Sequence, residues 1–304
     1  MERNQKKLAF DAVEFQERLF RVRKRMEERD ISLLLVHTPE NVTYLTGLET
    51  AGYYMYECAV VPMNQDIRLV LRRGEVPNAL TTTWLKEENL VPYDDIQDPI
   101  QVVADIAKTL VGKGKIAIEK DSNFMSVNRY QRLRSYLCNA ELVDGSSIVL
   151  EERKIKSPQE VEKIKKAAQI VSVAMERAVE AIEPGKNENE IAAIILATLI
   201  NEGSGFLGME PFVNSGPRTG TMHASWQGRE IQNNEPVLIE IGGCVNRYHA
   251  ALMRTVLLGA VPKELRYWAD VAIEALEAAI EAIRPGVTAG QVDQACREVI
   301  EKAG

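Results

Sequence analysis

The segment EIGGCVNRYHAALMRTVLLG (residues 240–259) belongs to two strand-like stretches that follow each other along the chain. Residues 236–242 form an apolar run interrupted by Glu240, and residues 248–259 repeat the strand-like pattern. A carboxylate in such a strand is costly unless it has a partner or a task. One interpretation is a buried ion pair of Glu240 with Arg247 or Arg254. The other is a functional acid, because burial raises the pKa of a carboxyl group and suits it to proton transfer or to holding a cation.

Histidine is the second residue type that can carry chemistry here, and the chain contains three. His223 lies in a glycine-rich loop, NSGPRTGTMHASW (residues 214–226). Loops on a rigid sheet concentrate catalytic groups, and an imidazole moves protons near neutral pH. We therefore expect His223 to be functional. His37, in a polar turn, is expected to be structural or solvated, and His249, at the start of a strand, to be half-buried and structural.

A long helix is predicted upstream of these residues. Ser157 is placed as its N-cap, Pro158 at its first position, and Glu160 completes a capping box. Pro184-Gly185 is expected to end this helix, and a second helix is expected at residues 187–202. Strand-like periodicity then predicts extended chain over residues 206–214.

An internal repeat links this region to the end of the chain. The segments AVEAIEPG (residues 178–185) and AIEAIRPG (residues 279–286) are offset by 101 residues and are identical at six of eight positions. Each copy is followed by another amphipathic stretch with helical spacing. The matching order of elements favours an internal duplication over chance.

The repeat carries an expectation about completeness. Gly304 corresponds to residue 203 of the first copy, just before the strands of that copy begin. The second copy would therefore lack a sheet of about 55 residues. Because an isolated helix pair would leave its apolar face uncovered, we expect the sequence to be a fragment of a longer chain.

The first half of the chain predicts a separate α/β domain. Residues 13–30 have apolar positions at helical spacing, residues 31–36 (ISLLLV) indicate a buried strand, and residues 37–41 indicate a polar turn. Further strands are expected at residues 58–62, 67–71, 115–119 and 141–143, and helices at 99–111 and 126–138. The alternation of strands with helices predicts two domains, residues 1–150 and residues 151–304.

Composition excludes several classes of protein. The 304 residues include 45% hydrophobic and 27% charged residues, as in an ordinary globular protein. The net charge is −7 and the Lys and Arg residues are scattered, which argues against nucleic-acid binding. No stretch approaches the ~20 apolar residues of a membrane span, and residues 1–11 lack the apolar core of a signal peptide. The four cysteines lie far apart among apolar neighbours, so we expect reduced core thiols and a cytoplasmic protein.

Three motifs of this sequence resemble the creatinase/proline-peptidase superfamily, known for its pita-bread fold. They are the segment at residues 240–259, NVTYLTG at residues 41–47 and RKIKS at residues 153–157. The resemblance covers essentially the whole chain. It implies an α/β N-terminal domain plus an α+β pita-bread (creatinase/aminopeptidase) domain whose second half is incomplete. The duplicated catalytic half of that family also accounts for the repeat.

The same resemblance bears on metal binding. Metal-dependent members of the superfamily carry two aspartates, eleven residues apart on this hairpin, as ligands of two divalent ions. The corresponding residues here are Glu240 and Ala251. Because alanine has no donor atom, the resemblance argues against a working metallopeptidase and implies a site with no metal and no other cofactor.

Two metal-free branches of the superfamily remain for comparison. Creatinases keep the alanine but carry a glutamate where this chain has Met253, and an N-terminal arginine where it has Tyr53-Tyr54-Met55. Ectoine hydrolases are more similar, with a glutamate in an E-I-(A/G)-G-C run, then R-Y-H, and a His-x-x-Trp pattern. The residues that carry this resemblance are Glu240, Cys244, Arg247, Tyr248, His249, His223 and Trp226.

The resemblance therefore implies a metal-independent hydrolase that opens the cyclic amidine ring of ectoine to an N-acetyl-diaminobutyrate. His223 is expected to act as acid or base, Glu240 as anchor or nucleophile, and Trp226 and Tyr53 as flat substrate-binding surfaces. A homodimer that acts on a small molecule is also implied. Three alternatives stay open: a metal-dependent Xaa-Pro dipeptidase or aminopeptidase, a creatinase-like amidinohydrolase, and a catalytically inactive pita-bread binding module.

Overall fold

The structure, a computed structural model, describes residues 6–111 and 114–304. The described residues form two compact units. One comprises the chain up to Lys166 together with Cys244–Tyr248, and the other comprises Ala167–Gly243 and His249–Gly304.

A six-stranded sheet forms the centre of the first unit, in the order β4-β3-β2-β1-β5-β6. Its strands are β1 (Leu33–Val36), β2 (Cys58–Pro62), β3 (Arg68–Arg72), β4 (Leu90–Tyr93), β5 (Lys115–Ile118) and β6 (Glu141–Asp144). The central strand β1 pairs antiparallel with β2 and parallel with β5. Successive residues of β1 face opposite sides of the sheet, so Leu34 and Val36 enter one apolar cluster while Leu33 and Leu35 enter another. This is why the strand consists entirely of apolar residues.

Helices contribute to both clusters of the first unit. They are α1 (Ala12–Glu28), α2 (Pro39–Thr46), α3 (Val76–Thr82), α4 (Pro99–Val111), α5 (Val127–Tyr136) and α6 (Ser146–Lys154). The strands and helices predicted for this half are confirmed to within a few residues at their ends. The sequence did not predict β4, α2, α3 and α6. Pro92 argues against a strand at residues 90–93 in the sequence. Proline is tolerated in β4 because β4 is an edge strand.

The expected polar turn at residues 37–41 is wrong, because helix α2 begins at Pro39. Proline suits the first position of a helix, and α2 buries Val42, Tyr44 and Leu45. The buried carboxylate of Glu119 accepts hydrogen bonds from the backbone nitrogens of His37 and Thr38, both at 2.7 Å. These contacts hold the chain just ahead of the helix. Residues 37–41 resembled a turn in the sequence because most of them are polar.

The second unit contains a three-stranded sheet in the order β7-β8-β9. Its elements are β7 (Phe212–Ser215), β8 (Pro236–Val245), β9 (Tyr248–Leu257) and helices α8 (Glu188–Asn201), α9 (Lys263–Ala282) and α10 (Ala289–Ala303). Helix α7 (Pro158–Ala181) begins in the first unit and continues into the second. Its predicted capping box is confirmed: Glu160 N lies 3.2 Å from Ser157 Oγ, and Ser157 N lies 2.8 Å from Glu160 Oε2.

The internal repeat is reproduced in the backbone. Helices α7 and α9 end at Ala181 and Ala282, and helices α8 and α10 begin at Glu188 and Ala289, so both pairs of positions differ by 101 residues. Gly185 and Gly286 both have φ of 89°, in the left-handed region that favours glycine. Asn187 and Thr288, at the corresponding N-caps, each form a capping box. The two helix pairs are therefore built in the same way.

Two further expectations need correction. Of residues 206–214, predicted to be extended, only those from Phe212 onward are in a strand, and β7 runs to Ser215. The glycines at 203, 205 and 208 favour irregular chain before it. Cys58 and Cys244 are buried as expected, but Cys138 is exposed and Cys296 only half-buried. None of the helices within residues 6–111 and 114–304 combines the length and apolarity needed to cross a bilayer.

Candidate active site

Glu240 lies on β8, directly opposite Phe212 of β7 in an antiparallel pair. Directly opposed residues project to the same face of a sheet, so the two side chains share one face. Val237, Ile239 and Ile241 alternate with Glu240 and are buried, whereas Glu240 itself is half-buried. The expectation of a buried carboxylate is therefore wrong, because Glu240 alternates with the core-facing residues in this part of β8.

The structure also gives partners to the two arginines considered for an ion pair with Glu240. Arg254 Nη1 lies 2.7 Å from the carbonyl oxygen of Met253, and Arg254 is exposed. Arg247 Nη2 lies 2.7 Å from the carbonyl oxygen of Thr50. Each guanidinium group thus donates to a backbone carbonyl.

His223 lies in the loop between β7 and β8 and is exposed. Its ring centroid is 5.8 Å from that of Phe212, with the planes inclined by 47°. Phe212 therefore contacts the imidazole and also stands opposite Glu240, so His223 and Glu240 share Phe212 as a neighbour. His223 has φ of 57°, an uncommon value for a residue with a side chain. Such strain persists only where neighbouring contacts hold the backbone.

The loop with His223 is held by Glu188, a residue that the sequence analysis did not identify. Glu188 is completely buried at the start of α8. Its Oε1 accepts hydrogen bonds from Ser215 N (2.9 Å) and Ser215 Oγ (2.8 Å), and its Oε2 accepts from Arg218 Nη1 (2.6 Å) and Gln227 N (3.1 Å). Four donors compensate the desolvation of this carboxylate.

Asn214 supports the same loop from β7. Its Nδ2 donates to the carbonyl oxygen of Ala224, next to His223, at 2.8 Å. At the base of the loop, Arg229 Nη2 lies 2.7 Å from Glu235 Oε2, and hydrogen bonding to Arg229 lowers the pKa of the Glu235 carboxyl group.

The two residues expected to form flat substrate-binding surfaces lie in different units. Trp226 is half-buried in the β7–β8 loop, three residues after His223. Tyr53 lies in the first unit, where its ring packs edge-on against Tyr54 and Phe124, with centroid distances of 6.4 and 6.2 Å. The structure therefore groups Trp226 with His223 on one loop, and Tyr53 stays a prediction.

The turn between β8 and β9 consists of Asn246 and Arg247, both with positive φ, as a tight hairpin requires. Asn246 Nδ2 donates to Glu49 Oε1 at 2.8 Å, and Tyr248 Oη donates to Glu160 Oε1 at 2.7 Å. Burial raises the pKa of the Tyr248 hydroxyl and that of the Cys244 thiol. Arg247 and Tyr248, two residues of the ectoine-hydrolase-like pattern, thus have structural contacts at the hairpin tip.

His249 differs from its expected placement. It is exposed, because it lies on β9, the last strand in the sheet order, with its neighbours Tyr248 and Ala250 half-buried. A Cβ atom at Gly208 would lie 2.3 Å from His249 Nδ1, so the imidazole ring packs closely against the backbone of Gly208.

His37 is structural and not solvated. It is completely buried in the first unit, with the Tyr56 hydroxyl 3.2 Å from its Nδ1. Burial, with a smaller contribution from Arg129, lowers its pKa to about 3. The imidazole is therefore neutral at physiological pH.

The donor atoms available for a metal can be tested on the hairpin. Ala251 is exposed on β9 and offers no side-chain ligand. Of the two hairpin positions that carry aspartate ligands in metal-dependent members of the superfamily, only Glu240 therefore has a carboxylate here. Within the part of the chain that the structure describes, no three His, Cys, Asp or Glu side chains come together in a group that could hold a metal ion. The described residues thus do not fit a dinuclear centre.

The chemistry that this arrangement permits follows from its two titratable groups. A half-buried carboxylate can attract a planar cation through charge-assisted hydrogen bonds. An exposed imidazole can act as a general acid or base. Side chains of these two types are those that the hydrolysis of a cationic carbon–nitrogen bond requires.

Comparison with known proteins identifies the family. Residues 18–155 match the creatinase/prolidase N-terminal domain, and residues 162–304 match metallopeptidase family M24. The ectoine hydrolase of Halomonas elongata is 30% identical, with 98% of this chain and 79% of that protein aligned. The Xaa-Pro dipeptidase of Pyrococcus furiosus is 26% identical, with 95% and 78% aligned.

A solved structure shows the same fold. The X-Pro aminopeptidase from Thermotoga maritima superimposes with a TM-score of 0.83 at 23% identity, over 93% of this chain and 77% of that one. Both halves of the sequence and the fold thus agree with the resemblance seen in the motifs. The chain belongs to metallopeptidase family M24, with a creatinase/prolidase N-terminal domain and a pita-bread domain, and is a hydrolase of that family.

Proposed function

We propose that the protein is a metal-independent hydrolase that opens the cyclic amidine ring of ectoine to an N-acetyl-diaminobutyrate. The observation that carries this proposal is the placement of Glu240 opposite Phe212, whose ring lies beside the His223 imidazole. The ectoine hydrolase among the relatives supports the choice of substrate. Ala251, which has no donor atom where a second metal ligand is expected, supports independence from metal.

In the proposed reaction, Glu240 holds the planar amidinium group by charge-assisted hydrogen bonds. His223 removes a proton from a water molecule, whose oxygen attacks the amidine carbon. The bond from this carbon to one ring nitrogen then breaks, and that nitrogen leaves as an amine with the proton from the imidazolium. The water oxygen becomes the carbonyl oxygen of the new acetamide, so amidine and water are converted to amide and amine without a redox step.

A nucleophilic role for Glu240 is the alternative within this mechanism. It predicts a transient covalent adduct on Glu240, which mass spectrometry of acid-quenched enzyme would detect during turnover. Trp226 is proposed to stack on the cationic ring, a contact worth about 0.5–2 kcal/mol. Tyr53 is proposed as a second stacking surface, as the sequence predicted.

The test is ectoine hydrolysis, followed by NMR detection of the acetylated product with and without chelator. Glu240→Gln and His223→Ala should abolish turnover, because each removes one of the two groups that act on the substrate. Glu210→Gln, an exposed glutamate just before β7, is the matched control and should keep full activity. Retained activity in either site variant would remove the assigned roles, and loss of wild-type activity with chelator would refute metal independence.

The second candidate function is a metal-dependent Xaa-Pro dipeptidase or aminopeptidase. The dipeptidase of Pyrococcus furiosus and the fold of the Thermotoga aminopeptidase favour it. Two tightly bound divalent ions per chain, with cleavage of Xaa-Pro dipeptides, would establish this activity instead. Cleavage of creatine would indicate a creatinase-like amidinohydrolase, and ectoine binding without hydrolysis would indicate an inactive binding module.

We also propose that the protein is a homodimer and works in the cytoplasm. Sedimentation analysis of the purified protein tests the dimer, and cell fractionation tests the location. A monomer, or recovery outside the cytoplasmic fraction, would refute the respective proposal.

A further inference from the structure

The loop from Gly216 to Glu235 carries His223 and Trp226 but has little apolar material of its own. His223 and Gln227 are exposed, and Trp226 is half-buried. Loops of this length are held by specific contacts or remain mobile. The strained backbone of His223, with φ of 57°, requires such contacts.

Glu188 supplies such contacts on both sides of the part of the loop that carries His223 and Trp226. It binds Ser215 before the segment and Gln227 after it, at distances of 2.8–3.1 Å. The carboxylate thus joins two points of the chain that flank His223 and Trp226. Because Glu188 is itself the first residue of α8, the loop is tied to a helix and not merely to itself.

Arg218 extends this tie into the middle of the segment. Its Nη1 donates to Glu188 Oε2 at 2.6 Å, and its Nη2 donates to the carbonyl oxygen of Ser225 at 2.5 Å. Ser225 lies between His223 and Trp226 in the sequence. A guanidinium group in two hydrogen bonds of fixed geometry orients the backbone that carries both side chains.

We propose that Glu188, acting through Arg218, is a positioning residue that holds the loop with His223 in place beside Phe212. This inference rests on the proposed function for its catalytic consequence. Glu188 is completely buried, so it acts on the reaction through the loop and not by touching the substrate. A buried ion pair is weak evidence for stability alone, which makes a role in fixing one loop conformation the better account of its burial.

The experiment compares Glu188→Gln with Glu235→Gln. Both changes remove a carboxylate that binds an arginine of the same loop, but Glu235 binds Arg229 at the base and not residues 224–227. Two readouts are independent of activity: amide hydrogen exchange of Ala224 and Gln227, and the imidazole resonances of His223. The chain has three histidines and His37 stays neutral above about pH 5, so these resonances are simple to assign.

We expect Glu188→Gln to speed hydrogen exchange of those amides at least about tenfold and to broaden or split the His223 resonance. Misplacing a catalytic group by about 1 Å costs ~100-fold in rate. The variant should therefore lower kcat for ectoine by about that factor, with KM little changed. Glu235→Gln should stay within about threefold of the wild type in all three measurements. If Glu188→Gln does not fold, Arg218→Met, whose arginine is partly exposed, replaces it with the same expected changes.

Unchanged exchange and an unchanged His223 resonance in a folded Glu188→Gln or Arg218→Met variant would overturn the proposal. Equal effects of Glu235→Gln would also overturn it, because the role would then belong to the loop base in general. If the wild type does not hydrolyse ectoine, the proposed function fails, but the exchange and resonance measurements still decide the role of Glu188 in placing His223.

Discussion

Arg18 is a completely buried cation in the first unit, and its removal gives a sharp test of how this unit is stabilised. Its Nε lies 2.9 Å from Glu14 Oε1, and its Nη2 lies 3.8 Å from Glu160 Oε1. Its Nη1 donates to the carbonyl oxygen of Tyr44 at 3.1 Å. The guanidinium carbon also lies 4.1 Å from the ring centroid of Phe10 and 4.5 Å from that of Tyr44. The Phe15 ring centroid lies 5.3 Å away, so one side chain balances two buried carboxylates and lies over three aromatic rings.

The variant Arg18→Met keeps an apolar side chain in the site but removes the charge. Glu160 retains Ser157 N at 2.8 Å and the Tyr248 hydroxyl at 2.7 Å, so most of the cost arises at Glu14. Leaving a buried charge without its partner costs about 3–5 kcal/mol. We therefore expect the free energy of unfolding to fall by about 4 kcal/mol.

Arg21→Met is the matched control on the same helix. The Arg21 side chain is 38% exposed and lies 3.1 Å from Glu152, which also binds Arg25. Because Arg21 is partly exposed and Glu152 keeps Arg25 as a partner, loss of Arg21 should cost about 1 kcal/mol or less. Both variants remove the same charge, so the difference between their free energies of unfolding reports the effect of burying the arginine.

The assay is urea unfolding followed by the fluorescence of Trp84, which stacks on Phe15 with a centroid distance of 6.2 Å. Trp226 and Trp268 are replaced by Phe in every variant, so that the signal reports the first unit alone. A loss for Arg18→Met within about 1 kcal/mol of that for Arg21→Met would refute the reasoning. If Arg18→Met does not fold, Arg18→Lys, which keeps the charge without the planar group, is expected to lose clearly more than Arg21→Met.

Three further predictions concern stability. Burial, reinforced by Glu75, raises the pKa of Glu57 to about 8. The folded carboxyl group keeps a proton that the unfolded chain releases near pH 4.3. The free energy of unfolding should therefore decline as the pH rises from about 4.5 to 8. In urea titrations across this range, Glu57→Gln should flatten that decline. At Gly185 and Gly286 an added Cβ would have no atom nearer than 3.9 Å, so only the left-handed backbone opposes a side chain there. Gly185→Ala and Gly286→Ala should each lower the free energy of unfolding by about 1–2 kcal/mol in denaturant unfolding. A clear difference between the two variants would contradict the equivalence of the repeats. Ser157→Ala removes the N-cap of α7 and should cost about 1 kcal/mol in the same assay, whereas no change would show that the capping box is dispensable.

The elements that the sequence predicted well share a physical property. The strand Leu33–Val36, the capping box at Ser157 and the Pro-Gly helix ends at 184–185 and 285–286 each depend on residues that are close in the chain. Apolar periodicity and capping chemistry act over a few residues, so the sequence displays them directly. The helix at Pro39 was missed because polar residues at a helix start resemble those of a turn.

The candidate site was predictable only in part. His223 and Glu240 stand out because a loop imidazole and a strand carboxylate are unusual in their local context. Glu188 does not, since a glutamate in the first turn of a helix is ordinary. Its partners lie 27–39 residues away in the chain, and no local pattern connects them.

The sequence alone thus indicated the α/β first domain, most of the helices and strands, the duplicated helix pairs and the two candidate groups, because each follows from short-range periodicity or from residue chemistry. The pita-bread fold was implied by the resemblance of the motifs. Only the tertiary structure decided that Glu240 is half-buried, that His249 is exposed, and that Glu188 and Arg218 hold the loop of His223. Burial and hydrogen bonding between distant segments depend on which face of each strand meets which neighbour. That is fixed when the sheet and helices pack, and not along the chain.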